Sequence, residues 1–435
     1  MSAGAQAFIE PEQLRSVDGR LEVSLTAAAA SFPSAVAGAL AYNNSPIGPT
    51  LRLRPGDRLV VELTNELGVD TNLHTHGLNV SPASPADDVF ARIAPGETRR
   101  YEYELPTDHP SGLFWYHPHR HGDVARQVGA GLVGAIIIDD IDDRVEISAT
   151  RERLWVLNDP SDSERGASGM DQMHGRAGDQ LRVNGVTNPM LDAVSGQTER
   201  WRIVNASASR MIPFSVDGLP LNLIGTDGGR LAAPVEVDGL VLAPGERAEV
   251  LVSPTPDRAE RAVSPSSPIA SLSIADSTAS TPPQVLPGRL IDSSTLEIGP
   301  VTGRRTLRLG SDMSGGGMMS GDSMLEFTID GRTYDPDRVD ISTTLGEIEE
   351  WTIVNDTGMD HPFHLHVWPF QIVDEGGWPG WKDTVNVPGG EEVTIRIPFV
   401  GHSGRSVYHC HILDHEDIGM MGVIDVAAEP SSTPA

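Results

Sequence analysis

Ten of the fourteen histidines lie in four short clusters, and the only cysteine of the chain lies inside the last cluster. In chain order the clusters contain His74 and His76; His117 and His119; His361, His364 and His366; and His409, Cys410, His411 and His415. Each cluster includes an H-x-H pair, and two residues at this spacing on a β-strand share one face, about 7 Å apart. Each pair can present two imidazoles to neighbouring ions, so eight imidazoles in four pairs predict a cluster of three borderline-soft metal ions.

Cys410 lies between His409 and His411, so its side chain should point to the opposite face of the strand. On that face it can meet three further candidate ligands, which are His361, His415 and Met420. Two imidazoles, a thiolate and a distal thioether form the ligand set of a mononuclear blue-copper site. Met421 is the alternative thioether, but the ten-residue spacing from the cysteine favours Met420. Zinc is the alternative metal, yet ten histidines with one cysteine do not resemble a Cys-rich structural zinc site, and zinc performs no redox chemistry.

A threefold internal repeat explains where two of these pairs fall. Three alternating segments align, each with Asn nine residues after Gly: Gly56–Asn65, Gly196–Asn205 and Gly346–Asn355. Counting nine and eleven residues onward from the first and third Asn gives His74 and His76, and His364 and His366; the second Asn gives Phe214 and Val216. The first and third repeats therefore carry the same two-histidine device, which predicts a pseudo-symmetric metal site between them.

Alternating short strands and Gly/Pro punctuation predict the fold class. A Pro-Gly turn in each repeat precedes a predicted strand, at Arg100–Leu105, Arg247–Val252 and Glu392–Pro398. No segment shows sustained helical periodicity, so we expect an all-β chain of antiparallel sandwiches. The expected domains are residues 1–145, 146–300 and 301–435, of which the second carries no metal ligand. The Ser-, Pro- and Ala-rich stretch Ser253–Pro287 is predicted to be a long loop.

Composition excludes several function classes. Lys and Arg total 32 against 61 Asp and Glu, a net charge of −29 that disfavours nucleic acid as a partner. Lys382 is the only lysine. The sequence contains no apolar run of 18 residues, so we expect no transmembrane helix. A single cysteine excludes a disulfide within the chain. Residues Met1–Glu10 lack the basic and apolar regions of an export signal.

The four segments resemble the copper-binding segments of the multicopper oxidases, the laccase family. They match the family pattern H-x-H-G, H-x-H, H-x-x-H-x-H and H-C-H-x-x-x-H-x-x-x-x-M without departure, and the repeat extends the resemblance over most of the chain. The match is closest to bacterial three-domain laccases and their spore-coat and cuprous-oxidase relatives. It implies a cupredoxin-like Greek-key sandwich in each domain and four copper ions per chain, one type 1, one type 2 and two type 3.

The resemblance also implies a role for each ligand. The type 1 copper would be bound by His361, Cys410, His415 and Met420. The type 2 copper would be bound by His74 and His364. The type 3 pair would be bound by six histidines, which are His76, His117, His119, His366, His409 and His411.

The implied reaction couples four one-electron oxidations at type 1 copper to the reduction of dioxygen to two waters at the trinuclear cluster. The expected reductant is a phenolic or related aromatic molecule, and it should approach His361 or His415 as the ligands nearest solvent. The covalent path from Cys410 to its two neighbours would connect the copper sites. Family habit favours an exported protein, periplasmic or extracellular, whose leader is absent from this sequence, but leaves the cytoplasm open. We expect a monomer.

Two acids are candidate proton carriers for this reaction, in which protons must reach a buried site. Glu416 directly follows His415 and matches the acid at that place in spore-coat laccases. Asp87 lies eleven residues after His76 and resembles the family's domain-one acid near type 2 copper. For both, the alternative is a solvated surface acid. His121 is expected to lie next to the metal ligands without binding metal, or on the surface. The remaining histidines, His109, His174 and His402, are expected on the surface.

Three alternative functions stay open at this point. The segment Asp312–Met324 contains Met313, Met318, Met319 and Met324, and Met170 and Met173 lie next to His174. Because thioethers select Cu(I), the segment is a candidate Cu(I) site of the kind that occurs in cuprous oxidases, although a Gly-rich linker between the second and third domains would also explain it. The first alternative function is a metal oxidase that acts on Cu(I) or Mn(II) and not on phenols. A copper nitrite reductase has two domains and lacks the four pairs. A non-catalytic copper-binding scaffold is disfavoured because every ligand is present.

Overall fold

The computed structural model describes residues 6–140, 149, 151–164, 167–264, 266–276, 288–291, 293–312, 326–373 and 380–429. Regular structure in these ranges is almost entirely β-strand, which confirms the all-β prediction. The predicted boundary at 145/146 lies outside the described residues, and both domain boundaries stay predictions. None of the helices in the described ranges has the length and apolar character needed to cross a bilayer.

The first unit is a sandwich of two sheets. Its elements are β1 (Gln13–Arg15), β2 (Arg20–Ala29), β3 (Leu40–Tyr42), β4 (Gly48–Leu53), β5 (Arg58–Asn65), β6 (His74–His76), β7 (Thr98–Glu104), β8 (Gly112–His117), α1 (Val124–Gly129) and β9 (Gly134–Ile138). One sheet has the order β1-β4-β9-β8-β6 and the other β3-β2-β5-β7. Alternating residues of β2 and β5 enter the core between the sheets, as the period of two requires.

The second unit has one large sheet and two small ones. Its elements are β10 (Arg151–Asn158), α2 (Gly169–His174), β11 (Arg182–Val183), β12 (Met190–Val194), β13 (Glu199–Asn205), β14 (Ile212–Phe214), β15 (Leu221–Thr226), β16 (Gly229–Val237), β17 (Leu240–Leu242), β18 (Arg247–Val252), β19 (Glu260–Val263) and β20 (Ala270–Ala275). The sheet orders are β11-β10-β13-β18-β15-β16, β12-β20-β19 and β14-β17. The prediction of a loop over Ser253–Pro287 is wrong where β19 and β20 form, and residues 265 and 277–287 of that stretch lie outside the described ranges.

The third unit repeats the two-sheet sandwich. A 3₁₀ helix at Ser293–Leu296 precedes β21 (Gly303–Asp312), β22 (Glu326–Ile329), β23 (Ile341–Thr344), β24 (Ile348–Asn355), β25 (His361–Leu365), β26 (Gln371–Ile372), β27 (Thr384–Val387), β28 (Glu392–Pro398), β29 (Gly404–Cys410), α3 (Leu413–Asp417) and β30 (Met421–Ala427). The sheets have the orders β22-β21-β24-β28-β26 and β23-β30-β29-β25-β27.

A buried asparagine ends the same strand in every unit. Asn65, Asn205 and Asn355 close β5, β13 and β24. Each side-chain amide donates to at least two carbonyls of the chain that follows, for example Asn65 to Val69 and Ile93 at 2.8 and 2.9 Å. These bonds satisfy buried backbone groups and fix the turn that leads towards residues nine and eleven positions on.

A shared apolar core holds the three units together. It includes Trp115 of β8, Val124 of α1, Val156 of β10, Val204 of β13 and Leu413 of α3, all almost fully buried. This seam core places the ends of β6, β8, β25 and β29 opposite one another. The histidine clusters lie at those ends.

Candidate metal centre

Two crossed ring stacks join the first and third units. The ring of His74 stacks on His366 with centroids 4.0 Å apart, and that of His76 stacks on His364 at 3.9 Å. The repeat makes His74 equivalent to His364 and His76 equivalent to His366. Each stack therefore pairs the first histidine of one H-x-H pair with the second histidine of the other. The pseudo-symmetry predicted from the repeat is present in the geometry.

Strand register aligns each H-x-H pair with a second pair in its own unit. In the first unit β6 pairs with β8 so that His74 lies opposite His117. In the third, β25 pairs with β29 so that His364 lies opposite His409. Centroids within the four pairs are 4.7 to 6.1 Å apart. All eight histidines predicted to form the cluster are therefore brought together, and all are buried.

The eight imidazoles divide into three adjoining groups whose nitrogens approach within 4.8 Å. The first group is His119, His366 and His409; the second is His76, His117 and His411; the third is His74 and His364 together with His76. In the first group Nε2 of His409 lies 3.1 Å from Nε2 of His119 and 3.0 Å from that of His366. His76 belongs to two of these groups, and His74 and His366 form a further group with Asp87. The number of ions that the cluster binds stays a prediction.

Unpartnered nitrogens test whether the cluster fits metal ions. Six of these histidines have buried ring nitrogens without a hydrogen-bond partner in the described part of the chain, namely His74 Nε2, His76 Nδ1, His117 Nε2, His364 Nε2, His366 Nδ1 and both nitrogens of His411. A buried polar atom without a partner costs about 1–3 kcal/mol. Burial lowers the pKa of His117 to about 3 and that of His409 to about 4, so the rings are neutral and carry lone pairs. Neutral imidazoles with free, converging nitrogens fit metal ions of the copper or zinc type.

The cysteine faces the other side of β29, as predicted. Its Sγ lies 3.4 Å from Nδ1 of His361 and 3.8 Å from Nδ1 of His415, and the two nitrogens are 3.2 Å apart. Met420 packs in the same buried core as Cys410, and its carbonyl accepts the cysteine N–H at 3.0 Å. Met421 packs in a separate cluster with Val89. Burial raises the pKa of the thiol, so a bound cation would be needed to hold it as thiolate.

Cys410, His361 and His415 form a sulfur-containing group, and two hydrogen bonds fix the tautomers of its histidines. Thr357 donates its hydroxyl proton to Asn355 at 2.8 Å, so the Thr357 oxygen can accept from Nε2 of His361 at 2.9 Å. Nε2 of His415 donates to the carbonyl of Met173 in α2 at 3.1 Å. Both rings therefore present Nδ1 lone pairs towards the sulfur. Both histidines are buried, His361 next to Thr357 and His415 next to α2. All the other predicted ligands are buried as well, so the expectation that these two are the ligands nearest solvent stays a prediction.

Sequence reasoning missed Phe327, which stacks on His415 at 3.9 Å. It also missed α2, which an ion pair holds in place: Arg176 bonds Asp414 through its backbone and its guanidinium, at 2.7 and 2.8 Å. Met170 and Met173 of α2 are exposed by 64% and 37%. The other methionine-rich segment, 313–324, lies outside the described residues.

Both predicted acids lie beside the cluster. Asp87 Oδ2 is 2.8 Å from Nδ1 of His74, and its other oxygen accepts the backbone N–H of Thr75 at 2.8 Å. Glu416 is fully buried, 3.2 Å from Nδ1 of His409 and 3.6 Å from Nδ1 of His119. Neither Glu416 oxygen has a hydrogen-bond partner among the described residues. Burial raises the pKa of Asp87 to about 7 and that of Glu416 well above its ordinary value.

Another buried acid, Asp383, was not anticipated. Its Oδ1 lies 3.1 Å from Nε2 of His76, and its carbonyl lies 2.8 Å from Nδ1 of His364. Both carboxylate oxygens bond Arg247 of the second unit, at 2.6 and 2.5 Å. The sequence offered one signal that could have drawn attention to Asp383, namely its neighbour Lys382, which is the only lysine of the chain. Lys382 is buried as well.

The remaining histidines have different surroundings. His121 is half-buried, packs against Tyr334 with tilted rings whose centroids are 4.5 Å apart, and lines a cavity of about 250 Å³ that reaches His119. His174 is exposed and His402 half-buried. The expectation of a surface position is wrong for His109, which is 3% exposed and accepts the N–H of Asn79 at 3.1 Å.

Comparisons with known proteins agree with this geometry. Sequence models described as multicopper oxidase match residues 25–143, 157–261 and 311–430. A "Multicopper oxidase mco" of Staphylococcus haemolyticus is 30% identical over 407 residues, covering 89% of this chain and 83% of the relative. A "Cell division protein FtsP" of Xenorhabdus nematophila is also 30% identical, over 416 residues, covering 88% and 84%. A crystal structure of a laccase from Pediococcus acidilactici superimposes with a TM-score of 0.84 at 28% identity, covering 98% of this chain and 94% of that one.

Proposed function

The chain belongs to the multicopper oxidase family, and from that premise we propose that it is a laccase-like oxidase with four copper ions. Its sandwiches are cupredoxin-like, as predicted. The observation that carries the proposal is the set of eight buried, converging imidazoles beside a buried Cys–His–His group. The relative named for cell division leaves a non-catalytic role as the alternative. The completeness of both donor sets argues against that alternative.

The proposed ligands follow the groups that the geometry forms. One copper is assigned to His361, Cys410, His415 and Met420, and one to His74 and His364. The last two are assigned to His119, His366 and His409, and to His76, His117 and His411. The histidine nitrogens of each group, together with Sγ of Cys410 in the first, lie within 4.8 Å of one another, which supports the assignment. Met420 is assigned from its ten-residue spacing and from its place in the same core as Cys410.

Bound copper would supply the one-electron transfers and the reduction of dioxygen to water. The chain's part is to hold the two sites in fixed relation. Cys410 is covalently bonded to His409 and His411, and β29 holds His409 in register with His364 while Cys410 faces Phe363. Electrons accepted at the sulfur-containing group thus have a short through-bond path to both type 3 positions.

Protons for the reaction are proposed to pass through Glu416 and Asp87. Glu416 touches two imidazoles of the cluster, and the cavity that His121 and Tyr334 line reaches the neighbouring His119. A carboxyl group between a water-accessible cavity and the reacting centre can accept and release a proton at that point. Asp87 holds the tautomer of His74, leaving Nε2 free, and its buried carboxyl can carry a proton on the opposite side.

The proposed substrate is a phenolic or related aromatic reductant that docks over Thr357 and α2. Because His361 and His415 are buried, the reductant would contact Thr357 and the Met173 peptide, which are hydrogen-bonded to the two rings. A second candidate substrate is Cu(I). It is favoured by the exposed thioethers of Met170 and Met173 next to His174, on the helix that covers His415.

Oxygen uptake by the copper-loaded protein tests the proposal. Rates are compared with a phenol and with Cu(I), for the wild type and for Met170→Ala/Met173→Ala. If the variant loses oxygen uptake with Cu(I) but not with the phenol, Cu(I) is identified as a substrate. If the wild type and the variant consume oxygen with the phenol at the same rate, the result supports the laccase reaction. A fully loaded protein that consumes no oxygen with either reductant would show a scaffold instead.

We further propose that the protein acts as a monomer outside the cytoplasm, where copper loading would occur. Light scattering and fractionation of the source cells test both statements. A stable dimer in solution, or recovery in the cytoplasmic fraction alone, would contradict them.

A further inference from the structure

Arg247 of β18 connects all three units although its own unit carries no predicted metal ligand. Its five N–H donors are all used. Nε donates to the Leu113 carbonyl of the first unit at 3.2 Å, and one hydrogen of each Nη goes to the carbonyls of Gly245 and Asp227 of the second. The remaining two donate to the carboxylate of Asp383 in the third unit. Such bidentate pairing fixes both distance and orientation.

The Arg247–Asp383 pair ends on a ring of the cluster. Asp383 Oδ1 lies 3.1 Å from Nε2 of His76, so the carboxylate holds the proton on Nε2 and leaves Nδ1 as the lone-pair nitrogen. Nδ1 of His76 is buried and has no hydrogen-bond partner within the ranges that the structure describes. His74 and His364 have the opposite arrangement, with Nδ1 hydrogen-bonded and Nε2 free. His76 therefore needs an acceptor at Nε2 that its own unit does not supply.

The second unit also contacts the group that contains His76 through Gly245, which lies two residues before Arg247. Gly245 has φ +87°, and a Cβ there would lie 2.9 Å from the ring of His411. Gly77, which follows His76, has the same φ, and a Cβ there would lie 2.3 Å from Nη2 of Arg247. The second unit therefore contacts two members of the His76–His117–His411 group. It packs directly against His411, and it reaches His76 through Asp383.

Neighbouring charges anchor this contact between the second and third units. Lys382 adjoins Asp383, and its Nζ lies 3.0 Å from Asp227 and 2.9 Å from Glu246, both in the second unit. Two consecutive residues of the third unit are thereby ion-paired with the second. The group of His119, His366 and His409 has a different neighbour, Glu416 of α3.

We propose that Arg247, acting through Asp383, is a positioning residue that selects Nδ1 of His76 and so controls metal occupancy at the His76–His117–His411 position. The inference rests on the proposed function, because it requires that this group binds copper. It gives the second unit a defined part in assembling one ion position. The sulfur-containing site and the His119–His366–His409 position do not depend on this pair.

The test replaces both partners of the pair with apolar residues, Arg247→Met/Asp383→Leu. This double substitution removes both charges of the pair, and Asp227, which lies 3.7 Å from Arg247, keeps its ion pair with Lys382. It is therefore gentler on folding than either single change, which would leave Arg247 or Asp383 without its partner. The matched control is Arg153→Met/Glu199→Leu, another buried two-bond pair of the second unit, with distances of 2.6 and 3.0 Å. Copper per chain, blue absorption at the cysteine and EPR-visible Cu(II) are measured after full reconstitution.

We expect the Arg247/Asp383 variant to lose one copper per chain, keep its blue absorption, and gain EPR-visible Cu(II). A bridged Cu(II) pair is EPR-silent, so removing one partner exposes the other. The control should match the wild type in all three readouts. Unchanged copper and EPR in the Arg247/Asp383 variant, or loss of blue absorption together with all copper, would overturn the inference. A wild type that binds no copper at this position would instead refute the proposed function.

Discussion

Asp417 supplies from the third unit the cap that α1 of the first unit lacks. The helix begins after Asp123, whose side chain makes no capping bond and instead pairs with Arg126. The Asp417 carboxylate accepts the backbone N–H groups of Gly122, Val124 and Ala125, at 2.7, 3.1 and 2.8 Å. A carboxylate at a helix N-terminus satisfies free donors and complements the helix dipole.

The cost of removing this cap can be worked out from the three bonds. Burial raises the pKa of Asp417 to about 7, so near neutral pH its three bonds are counted at the ordinary value of about 0.5–1.5 kcal/mol each, nominally ~1.5–4.5 kcal/mol together. The freed N–H groups regain some water, so we expect Asp417→Ala to lower the free energy of unfolding by ~2–3 kcal/mol. Asp417→Asn keeps an acceptor for two of the bonds and should cost about 1–2 kcal/mol.

Urea unfolding of the copper-free protein measures both effects. Asp179→Ala, at an exposed position, is the control and should stay within about 0.5 kcal/mol of the wild type. If Asp417→Ala is no more destabilising than that control, the cap across the seam does not contribute as argued.

Three further predictions concern acid sensitivity, proton supply and packing at the seam. Burial lowers the pKa of His109 from 6.5 to about 4, so its contribution to stability is complete above pH 6.5 and is lost as pH falls towards 4. Urea unfolding of the wild type should therefore lose about 3 kcal/mol more than that of His109→Asn between pH 7 and 4, and parallel pH curves would contradict this. Glu416→Gln should keep the blue absorption but slow oxygen uptake by about 10²-fold, the usual contribution of a proton-transfer group; unchanged uptake would exclude the role. Gly77→Ala should lower the unfolding free energy by more than about 2 kcal/mol, since its Cβ would displace Arg247, whereas Gly96→Ala, also at positive φ but with open space, should cost about 1 kcal/mol. Equal losses in the two glycine variants would refute the packing argument.

The cluster was predictable because its signals are local. Each H-x-H pair occupies three consecutive residues, and the Gly–Asn repeat marks a strand that ends at a buried Asn in every unit. The strands predicted at Arg247–Val252 and Glu392–Pro398 have the observed bounds. The strand predicted from Arg100 instead begins at Thr98.

Contacts between units left no such local signal. The Arg247–Asp383 pair joins residues 136 positions apart, and charge composition alone cannot select one partner among 61 acids. β20 was missed because its sequence is rich in Ser and Ala, and this composition outweighed the alternation of its apolar residues. The covering of His415 by α2 depends on Arg176 bonding Asp414, again across two units. His109 was misplaced because nothing near it in the chain indicates the fold around it.

An anomalous difference map at the copper edge, from crystals of fully reconstituted protein, tests the central claim most directly. The account predicts four peaks per chain. Three would lie among the eight seam histidines, and the fourth would lie beside Cys410, His361 and His415. Fewer than four peaks at full copper loading, or no density between the first and third units, would contradict it.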